Sequence, residues 1–380
     1  MFLVDSIILF SSLFGILKIS KLFQVQQKII VILFIYRNLI ALIYVQLARI
    51  FNLDAFGYYT YAELNVGEAS ITPGFHSTNF ISYICLYFQR YLNLSIISTS
   101  LIFTFVGTIG IIVYLSSINE LSINIDSNVK KLSQLIVLFP TLNLWTSCIG
   151  KDALTFTCIN LVIYSLIKLK PNLKLLIISS LFFILVRPYV GIFLIVGLMI
   201  SFSGKLNLSI INKFLLIIFS IVGLFLTNQI AFDFLQFENL SDLSETIELF
   251  QKATMTGNNS VDLASLSLPL QLFTFMFRPL FFDAEGIYPF LMSFENIILL
   301  LIFTYPFLKI IRTRKLKLQL NAMILFLVIF LSFNWIFFSM TVANLGTANR
   351  YKLMFLPALV LLSIIYSKNS KNTSRLKFIP

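Results

Sequence analysis

The chain has 380 residues, of which 58% are hydrophobic and only 12% charged, with 41 phenylalanines and a mean hydropathy of +0.92. Soluble domains carry about 25% charged residues, so this composition excludes an ordinary water-soluble protein and points to a polytopic membrane protein. A net charge of +12 would suggest a nucleic-acid partner in a soluble domain, but in a membrane protein basic residues collect in cytoplasmic loops, and no nucleic acid is expected.

The first apolar run, 1–17, is followed rather than preceded by a basic pair, Lys18 and Lys21, and no A-x-A site follows it. It reads as a first span and not as a cleaved leader. A helix needs about 17–25 apolar residues to cross a bilayer. Segments 30–50, 94–117, 132–148, 153–167, 214–231, 287–308, 320–340 and 353–367 meet or approach this, and 175–203 reads as a hairpin bent at Arg187-Pro188. The expected fold is all-α, a polytopic transmembrane helix bundle of about 11 spans. Placing the loops 18–29, 118–131, 168–174, 204–213 and 309–318 and the tail 368–380 in the cytoplasm gives that side 19 of the 28 basic residues, against Glu120 and Asp126. The positive-inside rule then sets the N-terminus outside and the C-terminus in the cytoplasm.

Two apolar stretches, 79–92 and 269–282, would invert every later basic loop if they crossed. They are expected at the external side as interfacial or re-entrant helices, anchored by Tyr87 with Arg90 and by Phe275 with Arg278. The stretch 232–268 is acidic and polar, and Leu240 to Phe250 within it has a helical pattern. No linker or repeat divides the chain, so residues 1–380 read as one integral membrane domain. Its external parts are a first loop, 51–93, with an interfacial helix, and a larger loop, 232–286. Cys85, Cys148 and Cys158 lie in or beside apolar runs without metal-ligand spacing. No phosphate-binding Gly loop, HExxH, CxxC or Ser/His/Asp pattern occurs.

With that topology, the ionisable residues left over gather on the external face. They include Asp54, Glu63, Glu68 and the single histidine, His76, in the first loop; Lys151 and Asp152 between two spans; Arg187 at the bend; Arg278, Asp283 and Glu285; and Arg350 with Lys352. Cations on the side normally poor in them suit anion recognition; the alternative for each is headgroup contact or snorkelling. Asp54 follows the second span directly, and a carboxylate there can serve as a general base or as a simple helix N-cap. Two further charges, Arg37 and Glu295, fall inside spans and are expected to face the bundle interior and to pair with each other.

The N-terminal pattern, two apolar spans and then a loop with Asp54 and trailing Tyr58, Tyr59 and Tyr61 before a long span, resembles the multi-spanning GT-C glycosyltransferases that use polyprenyl-phosphate sugars. The resemblance implies an inverting glycosyl transfer at the external face, within cell-envelope polysaccharide or glycolipid synthesis. The donor would be a polyprenyl-phosphate-linked sugar and the acceptor a lipid-linked or glycan hydroxyl, with membrane lipids around both. Asp54 would be the catalytic base. Lys151, Arg187, Arg278 and Arg350 would bind the lipid phosphate, and Tyr58, Tyr59 and His76 would contact sugar, although tyrosines also form interfacial belts. Several members carry paired acids, whereas Asp54 is followed by Ala55. A second acid would have to come from Glu63, Glu68, Asp152 or Asp283, and a divalent cation, Mg or Mn, is the one cofactor such acids would hold. The segments Phe139 to Asp152 and Phe277 to Glu285 also look like parts of O-antigen and exopolysaccharide polymerases, which makes repeat-unit polymerisation the first alternative. A transporter or lipid-linked-sugar flippase is the second. The location implied is a bacterial cytoplasmic membrane.

Overall fold

A computed structural model describes residues 2–64, 77–122, 127–167, 172–202, 251, 261–263, 265–313 and 321–367. Among these the regular structure is helical: α1 (Phe2–Leu22), α2 (Gln27–Phe51), α3 (Asp54–Leu64), α4 (Ser77–Leu92), α5 (Ile96–Leu121), α6 (Ser127–Leu135), α7 (Pro140–Thr146), α8 (Lys151–Ile167), α9 (Leu173–Val186), α10 (Pro188–Phe202), α11 (Leu268–Phe277), α12 (Ile287–Thr313), α13 (Ala322–Thr341), α14 (Leu345–Lys352) and α15 (Leu356–Tyr366).

Among the described residues, five stretches are long and apolar enough to cross a membrane: Leu3–Leu22, Gln27–Phe51, Ile96–Leu121, Ile287–Lys309 and Ala322–Thr341. The pair α14 and α15, bent by 62° at its break, makes a sixth if counted as one span. The other described candidates are shorter. With 14 residues, α9 is about 21 Å long at 1.5 Å per residue, less than the ~30 Å hydrocarbon core. The expected single span 132–148 is not one helix but α6, a 3-10 turn at Ile136–Leu138 and α7. Pro140 explains the break: it starts α7 and leaves Phe139 extended, at φ −56° and ψ 123°, as the residue before proline prefers. Pro188 acts in the same way on Arg187, which sits at φ −136° and ψ 71° between α9 and α10, where the sequence placed a bend. The stretches 79–92 and 269–282 are helical over α4 and over α11, which stops at Phe277. The candidate span 214–231, the helical pattern from Leu240 to Phe250 and most of the loop 232–286 lie outside the described residues.

The chain forms two compact units. The first comprises 1–117, 137–165 and 172–188. In it α1 and α7 pack on α2, α2 on α3, α3 on α4, and α4 on α9. Asn52 ends α2 in the left-handed conformation, with its N–H returning to Ala48 O, a common way to stop a helix, and α3 starts two residues on. Small residues let α5 approach its neighbours closely, a frequent device between membrane helices. A Cβ on Gly107 would lie 2.1 Å from Thr146 O and 2.5 Å from Arg37 Nη2, and one on Gly110 would lie 2.7 Å from Thr157 Oγ1.

The second unit comprises 118–136, 166–171 and 189–380. In it α11 packs on α13, α14 and α12, and α15 packs on α12 and α13. Phe275, Phe338 and Phe355 stack mutually with ring centroids 6.0–6.2 Å apart, and Trp335 fits edge-on between Phe277 and Phe303. The indole N–H of Trp335 donates to Leu272 O at 2.9 Å, satisfying the one polar atom this ring brings into the core. Asn321 and Asn344 cap α13 and α14 through side-chain oxygens.

The glycine contacts make a paired prediction. Gly107→Ala should lower the thermal unfolding midpoint in detergent by the equivalent of about 1–3 kcal/mol. At Gly57, where an added Cβ meets nothing within 4 Å, alanine should leave the midpoint unchanged or raise it by up to about 1 kcal/mol.

Candidate functional site

In the first unit the sequence candidates come from three places. Asp54 opens α3 and is exposed, as is Glu63, its next-to-last residue; Tyr61 is also exposed, Tyr58 is buried, and Tyr59 is half-buried with its hydroxyl donating to Leu94 O at 3.2 Å. Burial first, and Glu63 second, hold the Tyr59 phenol above its ordinary pKa. Lys151 opens α8 and donates to Ser77 Oγ at 3.0 Å and Thr78 Oγ1 at 2.8 Å, the first two side chains of α4. Asp152 accepts from Arg187 Nη2 at 2.7 Å, with only 2% and 3% of the two side chains exposed. The carboxylate lies in the first turn of α8, where the helix dipole favours an anion, and the proline break delivers the guanidinium to it.

One apolar cluster holds these places together. It contains Ala55, Tyr58 and Ala62 of α3, Ile81, Cys85 and Leu86 of α4, Cys148 and Ile149 of the α7–α8 turn, Ala153 of α8, and Val186 at the end of α9. Chain neighbours of Asp54, Asp152 and Arg187 therefore share one core. Burial pushes the Cys85 thiol up to about 12, so this cysteine is not a nucleophile near neutral pH.

Arg37, on the same helix as Tyr44, Val45 and Ala48 of that cluster, is fully buried in α2. Its Nε donates to Thr108 Oγ1 at 3.0 Å, its Nη1 to Asn143 Oδ1 at 2.9 Å and Thr146 Oγ1 at 3.0 Å, and its Nη2 to Thr146 O at 2.6 Å. The expected pairing of Arg37 with Glu295 is replaced by these neutral oxygens. Glu295 belongs to the second unit, where it acts electrostatically on Lys352. The physical reason is local: threonine and asparagine on α5 and α7 accept four hydrogen bonds from the guanidinium fork, more than one carboxylate can accept in that geometry.

In the second unit Arg278 and Asp283 form a two-pronged pair, Nε to Oδ2 at 2.8 Å and Nη2 to Oδ1 at 3.0 Å, and Leu280 N–H adds a bond to the same carboxylate. Arg350 is half-buried on α14. The sequence named Lys352 beside Arg350 but gave it no role, although it is the most buried cation among the described residues of this unit. The Lys352 ammonium donates to Met276 O at 3.0 Å and Asn296 Oδ1 at 2.7 Å, and Asn296 Nδ2 donates to Pro279 O at 3.0 Å. The available signal was two adjacent polar residues, Glu295-Asn296, inside an apolar span, which call for a polar partner.

Glu68 and His76 lie outside the described residues. Among the described residues no three His, Cys, Asp or Glu side chains are grouped to hold a metal ion, and Asp152 and Asp283 each bind an arginine. The described donor set does not fit a divalent cation. No protein-family model matches this chain, nor does any curated protein or any solved structure at a significant level.

Two measurements check the site. Asp152→Ala leaves the Arg187 guanidinium buried beside no carboxylate at that position and should destabilise the protein by about 3–5 kcal/mol, read as a lower unfolding midpoint in detergent, with partial recovery in the double variant Asp152→Ala/Arg187→Met. Cys85 should resist a maleimide in intact membranes at neutral pH and react only after denaturation.

Proposed function

We propose that the protein is a membrane-embedded glycosyltransferase that moves a sugar from a polyprenyl-phosphate donor to an acceptor hydroxyl at the external membrane face. In this reading the chain crosses about 11 times, with the N-terminus outside and the C-terminus in the cytoplasm of a bacterial membrane. The observation that supports it is that the helix opened by Asp54, the turn before Lys151 and the residue before Arg187 all contribute side chains to one apolar cluster, with the Asp152–Arg187 pair buried next to two of those contributions in the chain.

The chemistry assigns each group a task. The acceptor hydroxyl attacks the anomeric carbon, the bond from that carbon to the phosphate oxygen breaks, and the electron pair leaves on the phosphate. Asp54 accepts the hydroxyl proton, so one carboxylate suffices and the anomeric centre inverts. The departing phosphate gains negative charge, and a cation already in place stabilises it best where water is scarce. Lys151 fits that role. It stands at the N-terminus of α4, where outward-pointing backbone N–H groups also favour phosphate, and its hydroxyl partners Ser77 and Thr78 are groups a phosphate oxygen can replace. Arg187, neutralised by Asp152, positions the turn instead of meeting the donor. No metal step is assigned.

Deleting the gene should remove one glycan decoration from the cell envelope and raise the pool of its polyprenyl-phosphate sugar. Wild-type protein should restore the decoration. Asp54→Asn, present in membranes at the normal level, should slow transfer by ~100-fold or more, the scale of a lost general base. Full restoration by Asp54→Asn would sink this reading, and envelope glycans shortened to single repeat units would favour the polymerase.

A further inference from the structure

We propose that Arg37 is a positioning residue: from inside the membrane it clamps the end of α7 and so sets where Lys151 stands against α4. The link to activity rests on the role given to Lys151 above; the geometric claim does not.

Three observations carry it. First, two of the guanidinium nitrogens converge on one residue, with Nη1 on Thr146 Oγ1 and Nη2 on Thr146 O. Thr146 is the last residue of α7, and only residues 147–150 separate it from Lys151. Second, this short connection is pinned along its length: Thr104 of α5 donates its hydroxyl to Ser147 O, Cys148 and Ile149 are buried in the apolar cluster, and Asp152 is held by Arg187. A shift at Thr146 therefore passes to Lys151 with little slack. Third, the chain makes room for the clamp. Gly107 lies where any side chain would displace Thr146 O and Arg37 Nη2.

The residue type matters as well as the charge. The planar guanidinium reaches Thr108, Asn143 and both oxygens of Thr146 at once, whereas a lysine ammonium is a point donor on a flexible stem and cannot span acceptors on two helices in that geometry. Burying the cation is costly, and its acceptors on α5 and α7 offset that cost only while α7 stays in register with α2.

The test uses the full-length protein in its membrane. Cysteines replacing Ser77 and Lys151 report the distance between the α4 N-terminus and the turn through the yield with a short bifunctional thiol reagent. Cysteines replacing Tyr59 and Gln89, whose side chain donates to Tyr59 O at 3.0 Å, report the α3–α4 pairing as a control. With Arg37→Lys the first yield should fall several-fold while the control stays constant, and Thr146→Val, which keeps the carbonyl but removes the hydroxyl, should give a smaller selective fall. An unchanged first yield with Arg37→Lys overturns the proposal. So does a parallel fall of both yields with Arg37→Lys without a selective fall in Thr146→Val, because Arg37 would then be a general stabiliser. A selective fall accompanied by unaltered envelope glycan would leave the clamp standing and remove Lys151 from the chemistry.

Discussion

A guanidinium taken into an apolar interior must find acceptors for its N–H groups, because each one left without a partner there costs as much as a lost hydrogen bond or more. The first unit is arranged around meeting that demand at Arg37. Thr108 of α5 and Asn143 and Thr146 of α7 turn their oxygens toward it, and Asn143 is itself fixed by donating to Val137 O and Phe139 O. Glycine at 107 removes the one side chain that would stand in the way. Helices that would otherwise be free to slide past one another on smooth apolar faces thereby acquire a register. The placing of α7, of the turn that follows it and of Lys151 depends on that register.

Among the described residues, the buried cations and the partly buried Arg278 all find acceptors, though by different means. Asp152 and Arg187 neutralise each other at the junction of α8 with the α9–α10 break. Arg278 and Asp283 do so within five residues of chain, as a local fork. Lys352 is met by a backbone carbonyl, an asparagine and the nearby field of Glu295. Four cations drawn from different stretches of sequence thus have distinct solutions, and only those of Arg187 and Arg278 are carboxylates held directly by the arginine. In the proposed function this division assigns the roles: the arginine held by an acid fixes a turn, while Lys151, which donates to two hydroxyl groups, exchanges them for a ligand's oxygen atoms.

Much of the architecture was readable before the fold. Helices α1, α2, α5, α12 and α13 each contain an apolar run long enough to cross a bilayer, and a run that long reads as a membrane span. The break at Arg187-Pro188 followed from proline chemistry alone. The interruption of 132–148 followed from the same chemistry at Pro140 but was masked by the strongly apolar flanks, where hydropathy outweighs one residue. Candidate site residues were legible as types, since a charge in a membrane chain always needs a reason. Their partners were not. Asp152 was weighed as an acid and Arg187 as a phosphate ligand, and 35 positions of chain separate two groups that lie 2.7 Å apart.

The sequence by itself determined that this is a helical membrane protein, where its long helices run, and which few polar residues require an explanation, because apolar length and the cost of burying charge are properties of a local segment. Tertiary structure alone decided which polar groups meet. Arg37 finds threonine and asparagine from 71 to 109 positions away, and Lys352 finds Asn296. Hydrogen bonds are short and directional, so partner choice depends on how packed helices are turned and set in height. No periodicity within a single helix encodes that.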